Sequence, residues 1–133
     1  MNEHPSLNAI LICDLAIREE GSGKISLIGI FENISAIKFP TQHALLCVYA
    51  KLIDARGDYE LRLELVRLED FQVIGEGRLQ ASFADRRVPV EFVFQLAGLV
   101  FERPGGYEFR LYANNRSVGQ KSFNVVQVPA PTA

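Results

Sequence analysis

The sequence predicts an all-β protein: a two-sheet antiparallel sandwich, immunoglobulin-like, with about eight or nine strands. Several segments alternate apolar and polar residues with the two-residue period of a strand that has one buried face. The clearest example places Tyr107, Phe109 and Leu111 on one face and Glu108 and Arg110 on the other. Turn residues separate these segments at short intervals, and no segment requires a helix of ordinary length.

The first two strands are predicted at residues 8–17 and 24–32, joined by a turn at residues 20–23. Both segments are apolar on both faces, and so is a later strand at residues 45–53. Strands of this kind are normally covered on both sides. We therefore expect the second sheet to cover one side and a loop, a helix or another subunit to cover the other.

The middle of the chain is predicted to cross over and then form regular strands. Residues 33–43 lack a clear period, so a crossover with a short edge strand at residues 35–38 is expected. Residues 54–58 read as a hairpin loop with Gly57 at a positive φ. The strand at 59–65 alternates cleanly, after which a change of apolar parity predicts a bulge or a covered strand, followed by a turn at residues 69–70.

The next strands lead to the closing hairpin. Residues 73–83 are predicted as a strand broken by a bend at Gly75 and Gly77, at a sandwich corner. After a turn at residues 85–87, a strand at 88–96 either starts at Pro89 or lies at a sheet edge, because proline has no N–H to donate. The last hairpin turns at residues 114–115, since asparagine tolerates positive φ.

The apolar residues of this hairpin change parity, so its ladder needs a one-residue bulge. We expect Leu111 opposite Val118 and Phe123 opposite Tyr107. A bulge at 121–122 is favoured over one at 119–120, because a bulge at 119–120 would turn the Lys121 ammonium inward.

Length and charge limit the possible functions. The 133 residues suit a single sandwich domain, 1–133, with frayed tails at 1–7 and 129–133. A net charge of −2 argues against nucleic-acid binding. Residues 9–17 are too short to span a membrane and lack the basic flank of a signal peptide, so we expect a cytoplasmic protein without membrane contact. Cys13 and Cys47 are then expected to be reduced and buried.

Three segments resemble a known family: AILICDLAIREEGSGKISLIGIFE at 9–32, YELRLELVRLED at 59–70 and PGGYEFRLYANN at 104–115. Over nearly the whole chain the sequence is similar to a family of small bacterial proteins of unknown function. The resemblance implies a compact bacterial domain and brings no catalytic residue or ligand with it. The last hairpin also resembles the closing strands of immunoglobulin-like sandwiches, which says nothing specific about function.

Chemical motifs are scarce. The segment 21–24, Gly-Ser-Gly-Lys, resembles a phosphate loop, but a strand follows it where that motif needs a helix. The soft metal ligands are His4, His43, Cys13 and Cys47, and their spacing matches no zinc motif. We therefore expect no metal and no cofactor. The sequence does not decide whether the protein is an enzyme, but it favours a non-catalytic role.

One candidate site depends on topology. If every connection reverses the chain, charged turn residues gather at one end of the sandwich, where they could bind an anion or perform acid-base chemistry. These residues are Glu19, Glu20, Arg56, Asp58, Asp85 and Arg86. Ordinary solvated turns are the alternative, and an edge strand within 34–38 would scatter the group.

Two functions follow from these features. The first is a non-catalytic binding or assembly module that uses its apolar sheet surface for self-association, as a homo-oligomer, or for a protein partner. The alternative is a small-molecule or carbohydrate binder, or an unrecognised hydrolase, acting at the charged loop end. The ligand, if there is one, is left open.

Overall fold

A computed structural model describes residues 4–132. This part of the chain contains nine β-strands and no helix. The strands are β1 (Ser6–Arg18), β2 (Ile25–Ile30), β3 (Asn33–Ala36), β4 (Thr41–Ile53), β5 (Gly57–Arg67), β6 (Gln72–Phe83), β7 (Val90–Phe101), β8 (Gly105–Ala113) and β9 (Arg116–Gln127). The predicted all-β class is confirmed.

The described strands form two sheets. Sheet A has the order β2-β1-β4-β7, and sheet B has the order β3-β9-β8-β5-β6. Sheet B curls into a half-barrel, so the predicted immunoglobulin-like sandwich is not confirmed. The β4–β5 connection passes from sheet A to sheet B. Residues 54–58 are therefore not the predicted hairpin loop, although Gly57 does have a positive φ of 106°.

One strand pair departs from the predicted antiparallel arrangement. The edge strand β3 pairs with β9 in parallel, with Ile34 opposite Val125. Two residues link β3 to β2, and the chain moves from the edge of sheet A to the edge of sheet B across this link. The short strand was expected two residues later, at 35–38, and its parallel direction could not be deduced from alternation alone.

The core lies between the inner faces of the two sheets. Each strand contributes alternate side chains, as the two-residue period requires. Aromatic rings fill one part of the core: Phe101 lies 5.0 Å from Tyr107 and 6.1 Å from Phe123, measured between ring centroids. Tyr107 on β8 and Phe123 on β9 are both buried, and they lie directly opposite each other in the ladder.

The two sheets approach each other closely at two places, and at each place a glycine leaves room for the neighbouring strand. On β6, a Cβ at Gly75 or Gly77 would contact Leu99 or Phe94 of β7, so the glycines let these edge strands approach. The strand β6 is continuous through both glycines, so the predicted break in this strand is wrong. On the other line, Leu7 of β1 packs over Gly119 of β9.

The closing hairpin has the predicted turn and a different bulge. Asn114 and Asn115 both have positive φ, and Phe123 lies opposite Tyr107 as expected. The ladder shifts between Ser117 and Gly119, so Leu111 faces Gly119 and neither predicted bulge position is right. The contact between Leu7 and Gly119 explains this, because only glycine leaves room for that leucine.

Lys121 consequently lies on the inward-facing side of β9, whereas the sequence predicted that its ammonium stays in water. It lies opposite Phe109, and its ammonium is paired with Glu32 at 2.7 Å. The error lay in assuming that an inward lysine would be unpaired, because a carboxylate from the β2–β3 link reaches it at the sheet edge.

Two other local predictions are confirmed, and the extent of the N-terminal tail is corrected. The ladder between β5 and β6 shifts after Leu65, where the parity change predicted a bulge. The strand β7 starts directly after Pro89 and lies at an edge of sheet A. The predicted N-terminal tail extends too far, because β1 begins at Ser6 and Pro5 is buried. Residues 1–3 and 133 of the predicted tails lie outside the described part.

Candidate functional site

The outer face of sheet A carries a set of exposed aliphatic side chains on neighbouring strands. Cross-strand partners point to the same side of a sheet, so the register defines this face. Leu15 lies opposite Ile28, and Cys13 lies opposite both Ile30 and Cys47. We call the following five residues the aliphatic face: Leu15, Ile17, Ile28, Ile30 and Leu45.

Each member of the aliphatic face keeps 37–53% of its surface exposed. Single exposed aliphatic residues are ordinary on protein surfaces, but neighbouring ones mark contact surfaces. The sequence predicted that a loop, a helix or another subunit covers this side of the strands. Within residues 4–132 no helix exists, and no loop removes these side chains from solvent.

Two fully buried cysteines lie in the middle of this face. Cys13 and Cys47 are direct cross-strand partners, and both thiols are free. Burial, and then the neighbouring Cys47, raises the pKa of the Cys13 thiol. A protonated, buried thiol behaves as a small apolar group, so the pair adds apolar packing beneath the exposed side chains of the aliphatic face.

A polar pair lies beside the cysteines on the same face. Tyr49, two residues after Cys47 on β4, donates a hydrogen bond from its hydroxyl to the Glu91 carboxylate on β7. Burial, with the hydrogen bond to Glu91 and its charge, raises the pKa of Tyr49 to about 12. The phenol therefore stays neutral at physiological pH and acts as a fixed donor.

The aliphatic face is continuous with a cleft at the far half of the β1–β2 hairpin. Ile17, Arg18 and Ile25 line one wall, and Leu79 and Val93 line the other. The volume is about 550 Å³. Gln95 also lines the cleft, so together with Arg18 it gives this extension of the exposed face a mixed polar and apolar character.

The structure gathers only part of the predicted loop-end site. Arg56, Asp85 and Arg86 line one cleft of about 380 Å³, together with Arg87. Asp58 lies on the adjoining strand and accepts a hydrogen bond of 2.6 Å from Ser82. The loop-end cleft thus has three arginines, which suits an anion better than a cation.

Glu19 and Glu20 do not belong to this cleft. They follow the last residue of β1, whereas the first residue of β1 pairs with Ile53, next to the Arg56 loop. Thirteen residues of extended chain separate these two ends, which is about 40 Å along the strand. The short strand β3 explains this separation: as expected from the sequence, an edge strand in this segment adds one reversal of the chain. The strand β4 therefore runs antiparallel to β1 and places the Arg56 loop at the other end.

The remaining carboxylate in the loop-end cleft is poorly suited to act as a base. Arg87 donates side-chain hydrogen bonds to Asp85 at 2.7 and 3.1 Å, and its backbone N–H donates a third at 2.8 Å. These bonds hold the pKa of Asp85 below its ordinary value. A stabilised carboxylate accepts protons weakly, so acid-base chemistry has little support here.

The described residues contain neither a cluster of metal ligands nor a membrane-spanning helix. No three His, Cys, Asp or Glu side chains in residues 4–132 come together in a way that could hold a metal ion. No helix in this range has the length and apolar character needed to cross a bilayer. The Gly-Ser-Gly-Lys segment is a turn that runs directly into β2, as the sequence predicted.

The fold and surface together define an all-β protein with an exposed aliphatic sheet face. The chain belongs to the family described as "Family of unknown function (DUF6941)", which matches residues 8–126. None of the curated proteins matches its sequence.

Proposed function

We propose that the protein is a non-catalytic assembly module that packs its aliphatic face against another protein surface. A second copy of the chain is the first occupant to test, because a neutral aliphatic surface is complementary to itself. The observation that carries the proposal is the register of Leu15 with Ile28 and of Cys13 with Ile30 and Cys47. It places exposed aliphatic side chains around two buried thiols.

The pattern of burial supports a contact surface over a solvated sheet face. Solvated faces of antiparallel sheets are polar, and the alternation of β5 with its outward Glu60, Arg62 and Glu64 shows this elsewhere in the molecule. On the outer face of sheet A, the five positions of the aliphatic face carry exposed aliphatic side chains instead. Removing such side chains from water contributes about 25 cal/mol per Å² of apolar area, which favours association.

The experiment compares two lysine variants of equal exposure. Ile30 is 53% exposed within the aliphatic face, and Val88 is 55% exposed in the loop before β7. We expect the wild type to show a molar mass above 14.9 kDa by light scattering that rises with concentration. Ile30→Lys should return it to the monomer mass, because association would desolvate the ammonium. Val88→Lys should leave the mass unchanged.

A wild-type protein that stays monomeric at all concentrations would contradict self-association. In that case an environment-sensitive apolar dye tests for an open surface. Dye binding that is equal in the wild type and in Ile30→Lys contradicts the proposal. Both variants should keep wild-type melting temperatures, because exposed positions contribute little to the core.

A second candidate function rests on the loop-end cleft. We propose anion binding there because Arg56, Arg86 and Arg87 line the same cleft. Guanidinium groups recognise phosphate and carboxylate groups through paired hydrogen bonds. Titration with inorganic phosphate, followed by backbone amide shifts, tests it. Shifts confined to the loops around residues 56 and 85 would support the site. The absence of any localised shift would contradict it.

A further inference from the structure

Arg67 is the only buried polar or charged side chain among the described residues, with 6% of its surface exposed. It ends β5 and lies opposite Tyr107 of β8, so it shares the inner face of sheet B with the aromatic core. A buried charge is costly unless it is paired and hydrogen-bonded. Each N–H donor of this buried guanidinium therefore needs a hydrogen-bond partner or access to solvent.

The guanidinium uses only one side for internal contacts. Nε donates to Asp70 Oδ1 at 3.0 Å, and Nη2 donates to Asp70 Oδ2 and to Gln72 Oε1, each at 2.7 Å. Nη1 lies 3.8 Å from Glu102 Oε2, beyond hydrogen-bond range. No fully buried side-chain nitrogen in the described chain lacks a partner, so Nη1 reaches solvent.

Glu102, the neighbour of Nη1, lines a cleft between the start of β6 and the end of β7. The cleft has a volume of about 370 Å³, and Arg67 forms part of its lining. Small-molecule sites usually measure about 300–1,000 Å³ and often lie at the mouths of β-barrels. The apolar part of the lining comes from Val73, Ile74, Leu99 and Val100.

Two further polar groups lie around the cleft beside Arg67. Arginine can only donate, so the Gln72 oxygen must face it, and the Gln72 Nε2 group keeps its donors for another acceptor. Glu102 supplies an acceptor, and its side chain is 69% exposed. The cleft therefore offers donors for a carboxylate, an acceptor for an ammonium, and aliphatic walls.

We propose that this cleft binds a small aliphatic α-amino acid. Arg67 Nη1 and the Gln72 amide bind its carboxylate, Glu102 binds its ammonium, and the side chain packs against Val73 and Val100. A simple carboxylic acid fits less well, because Glu102 and Asp70 repel a net negative charge. A zwitterion supplies its own cation and adds no net charge. This site is separate from the aliphatic face and independent of the assembly proposal.

The test titrates the full-length ¹⁵N-labelled protein with L-leucine and follows amide shifts. Arg67 is a poor position to change, because its loss leaves the Asp70 carboxylate without its partner. Glu102→Gln removes the ammonium partner at an exposed position instead. Glu69→Gln is the matched control, since Glu69 is also exposed and paired, with Arg103 at 3.1 Å, but does not line the cleft.

We expect leucine to shift the amides of residues 67, 72–74 and 98–102. Glu102→Gln should weaken binding by about tenfold or more, and Glu69→Gln should leave it unchanged. The compounds 4-methylpentanoate and 3-methylbutylamine, which lack the ammonium and the carboxylate respectively, should each bind more weakly. The proposal is overturned if millimolar leucine causes no shift at these residues. Equal leucine affinity in Glu102→Gln, or binding of 4-methylpentanoate as tight as leucine, overturns it as well.

Discussion

Gly119 is the point where β9 must lack a side chain, and Gly119→Ala tests this directly. A Cβ at this position would overlap Leu7 Cδ2 and lie 3.5 Å from Leu7 Cβ and Cγ. The residue also has a φ of 155°, which L-amino acids rarely adopt. Two costs therefore add at this position: backbone strain and overpacking against β1.

Gly105→Ala separates the two costs. Gly105 begins β8 with a similar φ of 146°, but a Cβ there would meet nothing within 4 Å. We expect backbone strain of about 1–3 kcal/mol in both variants. Gly119→Ala should lose about 1–3 kcal/mol more, because the side chain of Leu7 packs against the core and has little room to move.

The assay is thermal unfolding of both variants and of the wild type. An unfolding entropy of about 2.1 cal/mol/K per residue means that 1 kcal/mol lowers the melting temperature of this chain by about 3.6 °C. Gly119→Ala should therefore melt about 4–11 °C below Gly105→Ala. In a Leu7→Ala background this gap should narrow, since the overlap is gone. Equal melting temperatures for the two glycine variants would refute the packing argument.

Two pH-dependent predictions follow from hydrogen-bonded pairs. The folded-state pKa of Tyr49 is raised from 10.0 to about 12, so its contribution to stability is complete below pH 10 and disappears as the pH rises towards 12. Tyr49→Phe should remove a tyrosinate absorbance step near pH 12, and loss of a step near pH 10 would contradict this assignment. Hydrogen bonds from Arg67 lower the folded-state pKa of Asp70 from 3.8 to about 2, so its contribution is complete above pH 3.8 and is lost as the pH falls towards 2. The stability gap between the wild type and Asp70→Asn in urea should shrink over that range, and a gap that does not change with pH would rule this out.

Local patterns in the sequence were enough to predict the strands and several turns. Alternation around Tyr107 and Phe109, and the paired asparagines at 114–115, depend only on neighbouring residues. The bulge in β9 could not be placed in this way, because it depends on Leu7, more than a hundred residues away. The family match supports the resemblance found in the sequence, whereas bacterial origin and cytoplasmic location stay predictions.

The sites show the same division between local and long-range information. The two-sided apolarity of β1, β2 and β4 predicted apolar side chains on the outer side of these strands, and the aliphatic face lies there. The loop-end group was only partly brought together, because its placement depended on whether the irregular segment after β2 forms a strand, and β3 does form there. Arg67 was missed, although a local signal existed: the inward positions 61, 63 and 65 continue to 67, where an arginine follows three leucines.

The central claim is that the aliphatic face is a protein contact surface, and methyl relaxation by a paramagnetic cosolute tests it most directly. Ile28 and Ile30 lie on the face, and Ile37, between β3 and β4, is 47% exposed and serves as the internal reference. In concentrated wild-type protein, we expect the cosolute to broaden the Ile37 methyl signals strongly and those of Ile28 and Ile30 weakly. Broadening of Ile28 and Ile30 equal to that of Ile37 would mean that the face stays open to solvent and would contradict packing of the face against a second copy of the chain.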